Sequence, residues 1–206
     1  MNFTVAGIGT DVGKTVISAI LCEALNADYW KPVQAGDLHH SDSDKVKALV
    51  DAEGFKTHTE TYRLTEAISP HAAAQIDDVQ IKPADFKRPN TQGRNLITEL
   101  AGGLMVPFSD NYLTIDLVQD LGDPVILVVN SYLGSINHTL LSLELLRQRN
   151  IFLFGVIFNG DTNPESREII LQYSGVRVMA DIPRAERLDR DFIKTHAQDI
   201  ARRLNI

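Results

Sequence analysis

A glycine-rich segment from Gly7 to Thr15 holds the residues whose types and spacing point most directly to chemistry. Glycines allow successive backbone N–H groups to point inward, and the positive end of a following helix attracts an anion. In a Walker A loop the lysine of a Gly-Lys-Thr triplet reaches the outer phosphates and the threonine hydroxyl binds Mg²⁺, the roles that fall here to Lys14 and Thr15. The segment therefore predicts a nucleotide-phosphate site.

The spacing of this loop is a variant, because five residues separate Gly7 from Gly13 where the common motif has about four. A glycine-rich turn with a surface lysine is the structural alternative, but the triplet between an apolar strand pattern and an apolar helix pattern favours nucleotide binding. GTPase switching is less favoured. The nearest segment to a guanine-recognition element is Asn159-Gly160-Asp161, which lacks the lysine and is equally consistent with a tight turn.

The elements that must position this loop alternate between strand and helix patterns. Apolar runs predict strands at 3–6, 29–31, 95–98, 124–130, 152–158 and 176–180. Apolar residues at helical spacing predict helices at 15–26, 45–52, 114–121, 136–149, 164–173 and 188–204. This order indicates a doubly wound α/β fold, P-loop NTPase-like, with a mainly parallel sheet flanked by helices and ligands at the carboxyl ends of the strands. We expect one domain over residues 1–206.

Composition excludes several classes of function. A net charge of −7 and a pI near 5.3 disfavour nucleic-acid binding, which needs clustered lysine and arginine. The apolar run at 125–129 is far shorter than the ~20 residues that cross a bilayer, and the first residues show no secretion signal, so we expect a cytoplasmic protein without a membrane partner. The single cysteine, Cys22, fits core packing. His39 and His40 fit a solvated loop better than a metal site.

Several spaced motifs resemble those of the dethiobiotin synthetase family of biotin biosynthesis. The family's phosphate loop has the same five-residue gap and the same Val-Gly-Lys-Thr ending. The other resembling segments follow in the family's order along nearly the whole chain: Lys31-Pro32-Val33, Ser43-Asp44, Ser69-Pro70-His71, Glu99 with Ala101-Gly102-Gly103, and Leu133-Gly134 with Ile136-Asn137-His138. The P-loop is specific by itself, and the others are specific through their joint order.

The resemblance implies an ATP-dependent cyclo-ligase that forms a cyclic urea on 7,8-diaminononanoate from CO2 and ATP with Mg²⁺. One amine takes up CO2 as a carbamate, whose oxygen attacks the γ-phosphate. The second amine then closes the ring and releases phosphate. Because most species are anionic, we expect catalysis by positioning and cationic stabilisation rather than by a protein nucleophile.

The resemblance also implies roles for individual residues. The catalytic cations are Lys14 and Lys31, and the metal ligands are Thr15, Asp44 and Glu99, with Asp42 as the alternative aspartate because Asp44 could simply cap a helix. Substrate would contact Thr10, Lys31, Gly102, Gly103, Leu133 and Asn137. ATP would contact Asp11, Val12, Gly13, Lys14, Thr15, Val16, Asp44, Glu99, Gly102, Asn159, Gly160 and Pro183, with Asn159 and Pro183 beside adenine.

Two positions depart from the family pattern, since Leu100 replaces a glycine after Glu99 and Ala35 stands where a hydroxyl residue is common. The resemblance implies a homodimer whose substrate site is completed across the interface by Leu133 and Asn137. A small-molecule kinase and a partitioning-type ATPase are the alternative functions. The latter typically has a further lysine early in the loop, which residues 7–11 lack.

Overall fold

The computed structural model describes residues 1–205 and centres on a seven-stranded parallel sheet. Its strands are β1 (Asn2–Gly7), β2 (Ala27–Trp30), β4 (Thr57–His58), β6 (Asn95–Glu99), β9 (Val125–Asn130), β10 (Leu153–Asn159) and β11 (Val178–Ile182). Their order across the sheet is β11-β10-β9-β1-β6-β2-β4. β1 pairs with β9 on one side and β6 on the other, so the residues after β1 and β6 meet at the centre of the carboxyl edge.

Helices cover this sheet, and six of the seven among residues 1–205 overlap the predicted ones, the exception being Pro70–Ile76. They are α1 (Lys14–Leu25), α2 (Asp42–Leu49), α3 (Pro70–Ile76), α4 (Thr114–Leu121), α5 (Ser135–Gln148), α6 (Pro164–Ser174) and α7 (Arg190–Leu204). The doubly wound α/β fold expected from the sequence is confirmed, with P-loop NTPase-like architecture. Within residues 1–205, none of the helices is both long and apolar enough to cross a membrane.

Two small sheets lie outside the central one and were absent from the sequence-based expectation. β3 (Val33–Ala35) pairs with β5 (Tyr62–Leu64), and β7 (Pro107–Ser109) pairs with β8 (Tyr112–Leu113). β3 follows β2 in the chain and places residues 34 and 35 towards the carboxyl edge of the central sheet. A 3-10 turn at Pro83–Asp85 lies in the segment 80–93, which is otherwise loop.

The core lies on both faces of the central strands. β9 buries every residue from Val125 to Val129, and Val5, Ala6 and Ile97 of the neighbouring strands are fully buried. Cys22 is likewise fully buried on α1, as its packing interpretation predicts. Continuous apolar runs stabilise a sheet that is covered by helices on both faces. The loops of the carboxyl edge begin directly after these buried strands.

Candidate active site

The loop between β1 and α1 has a backbone that only glycine allows at two positions. Gly13 adopts a left-handed conformation with φ of 92°, and a Cβ there would collide with the amide of Asn159. A Cβ on Gly7 would lie 2.7 Å from a methyl carbon of Val12. The loop therefore folds tightly onto the start of α1, where the backbone N–H groups and the helix dipole create an anion site.

Lys14 folds back onto this loop. Its Nζ donates to the backbone oxygen of Gly9 at 2.8 Å, and only 7% of the residue is exposed. Burial lowers the pKa of Lys14 to about 8, and Glu99 opposes part of that shift. The ammonium is thus held by a single backbone oxygen at the mouth of the loop, where a phosphate could replace that partner.

Glu99 ends β6 and is the central carboxylate of the site, with 1% of its surface exposed. Its Oε1 accepts from Thr15 Oγ1 at 3.0 Å and from Lys31 Nζ at 3.4 Å. Its Oε2 accepts from the Tyr29 hydroxyl at 2.9 Å. Burial and, to a smaller extent, the nearby Glu99 carboxylate raise the pKa of Tyr29 well above its ordinary value. The phenol therefore remains protonated and acts as a donor.

Lys31 follows β2 and lies between two carboxylates. Its ammonium donates to Asp42 Oδ2 as well as to Glu99 Oε1. Burial alone would lower the pKa of Lys31, but Glu99 and Asp42 together raise it above its ordinary value. Burial would raise the pKa of Asp42, yet Lys31 and Lys45 hold it below the usual range. Lys31 and Asp42 are therefore both ionised at neutral pH.

The two candidate aspartates of α2 have different surroundings. Asp44 accepts from the backbone nitrogen of Ser41 at 2.9 Å and from its hydroxyl at 2.7 Å, which is a capping box on an exposed helix end. These bonds hold the Asp44 carboxylate away from the cleft and lower its pKa. Asp42 instead faces Lys31. Of these two aspartates, Asp42 lines the cleft and the predicted Asp44 does not.

A cleft of about 820 Å³ lies beside the P-loop and is lined by Lys14, Lys31, Asp42 and Glu99. Of the residues expected from the sequence, it brings together Thr10, Asp11, Gly13, Lys14, Thr15, Lys31, Glu99 and Gly102. Its other walls include Gln34, Ala35 and Asp42 on one side, and Ile68, Ser69 and Pro70 at the start of α3. The cleft therefore combines lysine cations, carboxylates and a partly apolar wall next to the phosphate loop.

A second pocket of about 490 Å³ lies on the other side of the loop. The expected ATP residues Val16, Asn159, Gly160 and Pro183 line it, together with Phe192 and Leu188. Asn159 Nδ2 donates to the backbone oxygen of Val12 at 2.9 Å, so this side chain also supports the loop. This pocket combines polar groups, such as the Asn159 amide, with the apolar side chains of Leu188 and Phe192, and it has the size for a nucleotide base.

Four further residues of the expected set line neither pocket of this chain. Val12 is buried beneath the loop, and a Cβ on Gly103 would lie 3.7 Å from the backbone of Gly7 and Gly9, so both support the P-loop by packing. Leu133 and Asn137 lie at the start of α5 with exposed side chains. Their predicted contact with substrate is therefore not supported by the pockets of their own chain.

The two departures from the family pattern have different consequences. Leu100 is 1% exposed and packs in the core, while its backbone nitrogen donates to Val5 at 3.1 Å. Its side chain therefore packs in the core and does not line the cleft. Ala35 lines the cleft and offers a methyl group there in place of a hydroxyl.

Tyr29 and Gln34 belong to the site but had no role in the sequence-based expectation. Gln34 is buried, donates to the backbone oxygen of Gly36 at 2.9 Å and accepts from the backbone nitrogen of Asp42 at 3.3 Å. It thereby positions the start of α2. Tyr29 could have been found from strand alternation, because it precedes Lys31 by two residues and shares its face.

The fold and the loop define a P-loop nucleotide-binding protein, and solved structures agree. The chain superimposes on a putative plasmid partition protein of Borrelia burgdorferi bound to AMPPNP with a TM-score of 0.60 and 12% identity, covering 99% of this chain and 97% of that one. It also matches the cell division ATPase MinD of Pyrococcus furiosus with a TM-score of 0.56 and 16% identity, covering 98% of each. At such identities the likeness shows the fold alone.

Sequence relatives identify the family. A family model described as an AAA domain matches residues 1–191. The chain is 45% identical to the ATP-dependent dethiobiotin synthetase BioD of Cytophaga hutchinsonii over 95% of each chain. It is 46% identical to that of Christiangramia forsetii over 98% of this chain and 97% of the relative. The chain belongs to the ATP-dependent dethiobiotin synthetase family.

Proposed function

We propose that this chain converts 7,8-diaminononanoate, CO2 and ATP to dethiobiotin, ADP and phosphate, with the chemistry in the cleft beside the P-loop. Family membership supports the overall reaction. The observation that supports the location is the convergence of Lys14, Lys31, Asp42 and Glu99 next to the phosphate loop. These residues combine cations for an anionic intermediate with oxygen ligands for a divalent metal.

In this proposal the nucleotide spans the two pockets. The base occupies the pocket of Asn159 and Pro183, the phosphates follow the loop, and the γ-phosphate reaches the cleft near Lys14. Asp11, Gly13 and Val16 lie along that path. ATP is thereby presented with its outer phosphate towards the space where the diamine would bind, which is the arrangement that an in-line transfer requires.

The two lysines have separate tasks in the proposed reaction. One substrate amine attacks CO2 and loses a proton to give a carbamate, whose oxygen attacks the γ-phosphorus while the bond to ADP breaks. Lys31 faces the carbamate and the transferring phosphoryl group, and Lys14 faces the β- and γ-phosphates. The second amine then attacks the carbonyl carbon, phosphate leaves, and the ring closes. Buried ammonium groups stabilise the negative charge that develops on these oxygens.

The donor set of the cleft fits Mg²⁺, and we propose that Thr15, Asp42 and Glu99 hold it. Among residues 1–205, no cluster of three or more His, Cys, Asp or Glu side chains could bind a metal, but Mg²⁺ typically needs only one or two carboxylates together with phosphates and water. Thr15 donates its proton to Glu99, which leaves the hydroxyl lone pairs free. When bound, Mg²⁺ would neutralise phosphate charge during transfer.

We further propose that Thr10, Gly102 and Gly103 border the diamine, with Ala35 and Ile68 on the opposite wall. The enzyme would act as a single domain over residues 1–206 in the cytoplasm, where ATP is supplied. A homodimer is part of this proposal, because Leu133 is fully exposed and Leu141, two turns further along α5, is 59% exposed. An apolar helix face of this kind is stabilised by burial against a second copy.

The decisive experiment measures phosphate release with diaminononanoate in the presence and absence of bicarbonate. Release that requires both diamine and bicarbonate, with a cyclic urea as product, is expected. A small-molecule kinase would release no phosphate and would phosphorylate the diamine without bicarbonate. A partitioning-type ATPase would hydrolyse ATP without the diamine, so either pattern would refute the proposed reaction.

The metal proposal predicts different effects for two substitutions on α2. Asp42→Asn should raise the apparent Mg²⁺ requirement of phosphate release roughly tenfold or more, because it removes a negative oxygen ligand. Asp44→Asn is the matched control and should cost only ~1 kcal/mol of stability through its cap. Titrations of Mg²⁺ and melting curves on both variants check this. A shift in the Mg²⁺ requirement for Asp44→Asn but not for Asp42→Asn would refute the assignment.

A further inference from the structure

Tyr29 lies directly beneath the central carboxylate of the site. β2 pairs with β6 so that Tyr29 is opposite Ile97 and Trp30 is opposite Thr98, which places Lys31 next to Glu99. Side chains two residues apart on a strand share one face, so Tyr29 and Lys31 both reach Glu99, one from the core and one from the cleft. Tyr29 is fully buried.

The two oxygens of Glu99 have different surroundings. Oε1 accepts hydrogen bonds from Thr15 and Lys31, both of which line the cleft. Oε2 accepts a hydrogen bond from Tyr29, which does not line the cleft. In the proposed reaction Thr15 and Lys31 also serve the metal and the carbamate. The hydrogen bond from Tyr29 has no competing partner in the cleft, so it can persist while the other two donors exchange partners.

We propose that Tyr29 is a positioning residue that fixes the orientation of Glu99, so that Oε1 faces the cleft and its divalent metal. This inference rests on the proposed metal role of Glu99. A buried carboxylate oxygen without a hydrogen-bond donor is energetically unfavourable, because it has lost its contacts with water. Without Tyr29 the Glu99 side chain is therefore free to rotate away from the metal. The phenol acts through Glu99 and contacts neither substrate nor nucleotide.

The test is Tyr29→Phe, which keeps the ring in the core and removes the hydroxyl. Mn²⁺ serves as the probe metal, and its affinity for the enzyme with a non-hydrolysable ATP analogue is measured by electron paramagnetic resonance. We expect roughly tenfold weaker Mn²⁺ binding, the usual scale for a hydrogen bond to a charged group. Affinity for the analogue in excess EDTA should change less than about twofold, because the nucleotide pocket and P-loop remain intact.

Tyr112→Phe is the matched control. Tyr112 is 7% exposed, and its hydroxyl donates to Asp120 Oδ2 at 2.6 Å, but it lies away from the cleft. This variant should bind Mn²⁺ like the wild type. Equal weakening in both phenylalanine variants would mean a general loss of stability and would overturn the inference.

Glu99→Gln separates positioning from a merely structural role. If Tyr29 acts through Glu99, adding Tyr29→Phe to Glu99→Gln should weaken Mn²⁺ binding no further. Independent, additive losses would overturn the inference, as would Mn²⁺ affinity within twofold of wild type for Tyr29→Phe alone. If Glu99→Gln itself binds Mn²⁺ like the wild type, the proposed metal site fails and the role of Tyr29 fails with it. Additive losses, or unchanged Mn²⁺ affinity for Tyr29→Phe, would refute the role of Tyr29 but not the proposed metal site.

Discussion

Lys14→Ala should lower turnover by ~100-fold or more while the fold stays intact. The lysine ammonium is buried at the mouth of the P-loop and donates only to Gly9, so a bound phosphate would become its principal partner. Without this preorganised cation, the cleft loses one of the positive charges that would stabilise the transferring oxygens. Phosphate release at saturating Mg-ATP, diamine and bicarbonate measures the effect.

Stability provides the check that this loss is chemical. Lys14 places a desolvated charge in a site that contains another lysine, so its removal should not lower the free energy of unfolding. Lys56→Ala, an exposed lysine outside both pockets, is the control and should retain full activity. Near-normal turnover of Lys14→Ala at saturating substrates would refute the P-loop assignment, and a lowered denaturation midpoint would mean that the lysine supports the fold instead.

The central strands could be predicted from the sequence because their burial is complete. Val125 to Val129 is apolar without interruption, which in a chain of alternating patterns requires a strand with helices on both faces. Helix α4 was predicted with its observed bounds, since Gly122 ends it in a left-handed conformation directly after the apolar pattern. Both signals are local, so the sequence contains them in full.

The short strands could not be predicted in the same way. β4 has two residues, Thr57 and His58, and β3 and β5 have three each. Segments of this length show neither alternation nor an apolar run, and they are extended because tertiary pairing supplies the hydrogen bonds. β4 forms the sheet edge only because β2 lies beside it, which is a non-local contact.

The P-loop was predicted from residue types after a strand and Lys31 from the family resemblance, whereas the contacts of the structure favour Asp42 over the predicted Asp44. Ser41 and Asp44 have the spacing of a capping box, and this local signal indicated that Asp44 would serve the helix end. Asp42 lies within the first turn of α2 and faces the cleft. The motif match to Ser43-Asp44 outweighed the capping pattern, although capping has the more direct physical cause.

The expectation of a shared site across a dimer leads to the second large effect. Leu133 is fully exposed and Asn137 is exposed one turn further on, and neither lines the cleft of its own chain. If they complete the neighbour's site, Lys14→Ala disables a subunit's own phosphate loop and Asn137→Ala disables the partner's substrate site. We expect each variant alone to be inactive or nearly so.

Mixing the two inactive variants should restore activity. After random exchange of equal amounts, half of the dimers contain one subunit of each kind, and each of these has one site with both residues intact, so about a quarter of wild-type activity should return. Mass measurement verifies the exchange, and Lys14→Ala mixed with itself is the control that should stay inactive. Activity that remains at the average of the two parents after verified exchange would confine Asn137 to its own subunit. In that case Asn137 would act only at the first turn of α5, where the exposed Leu133 would need another explanation.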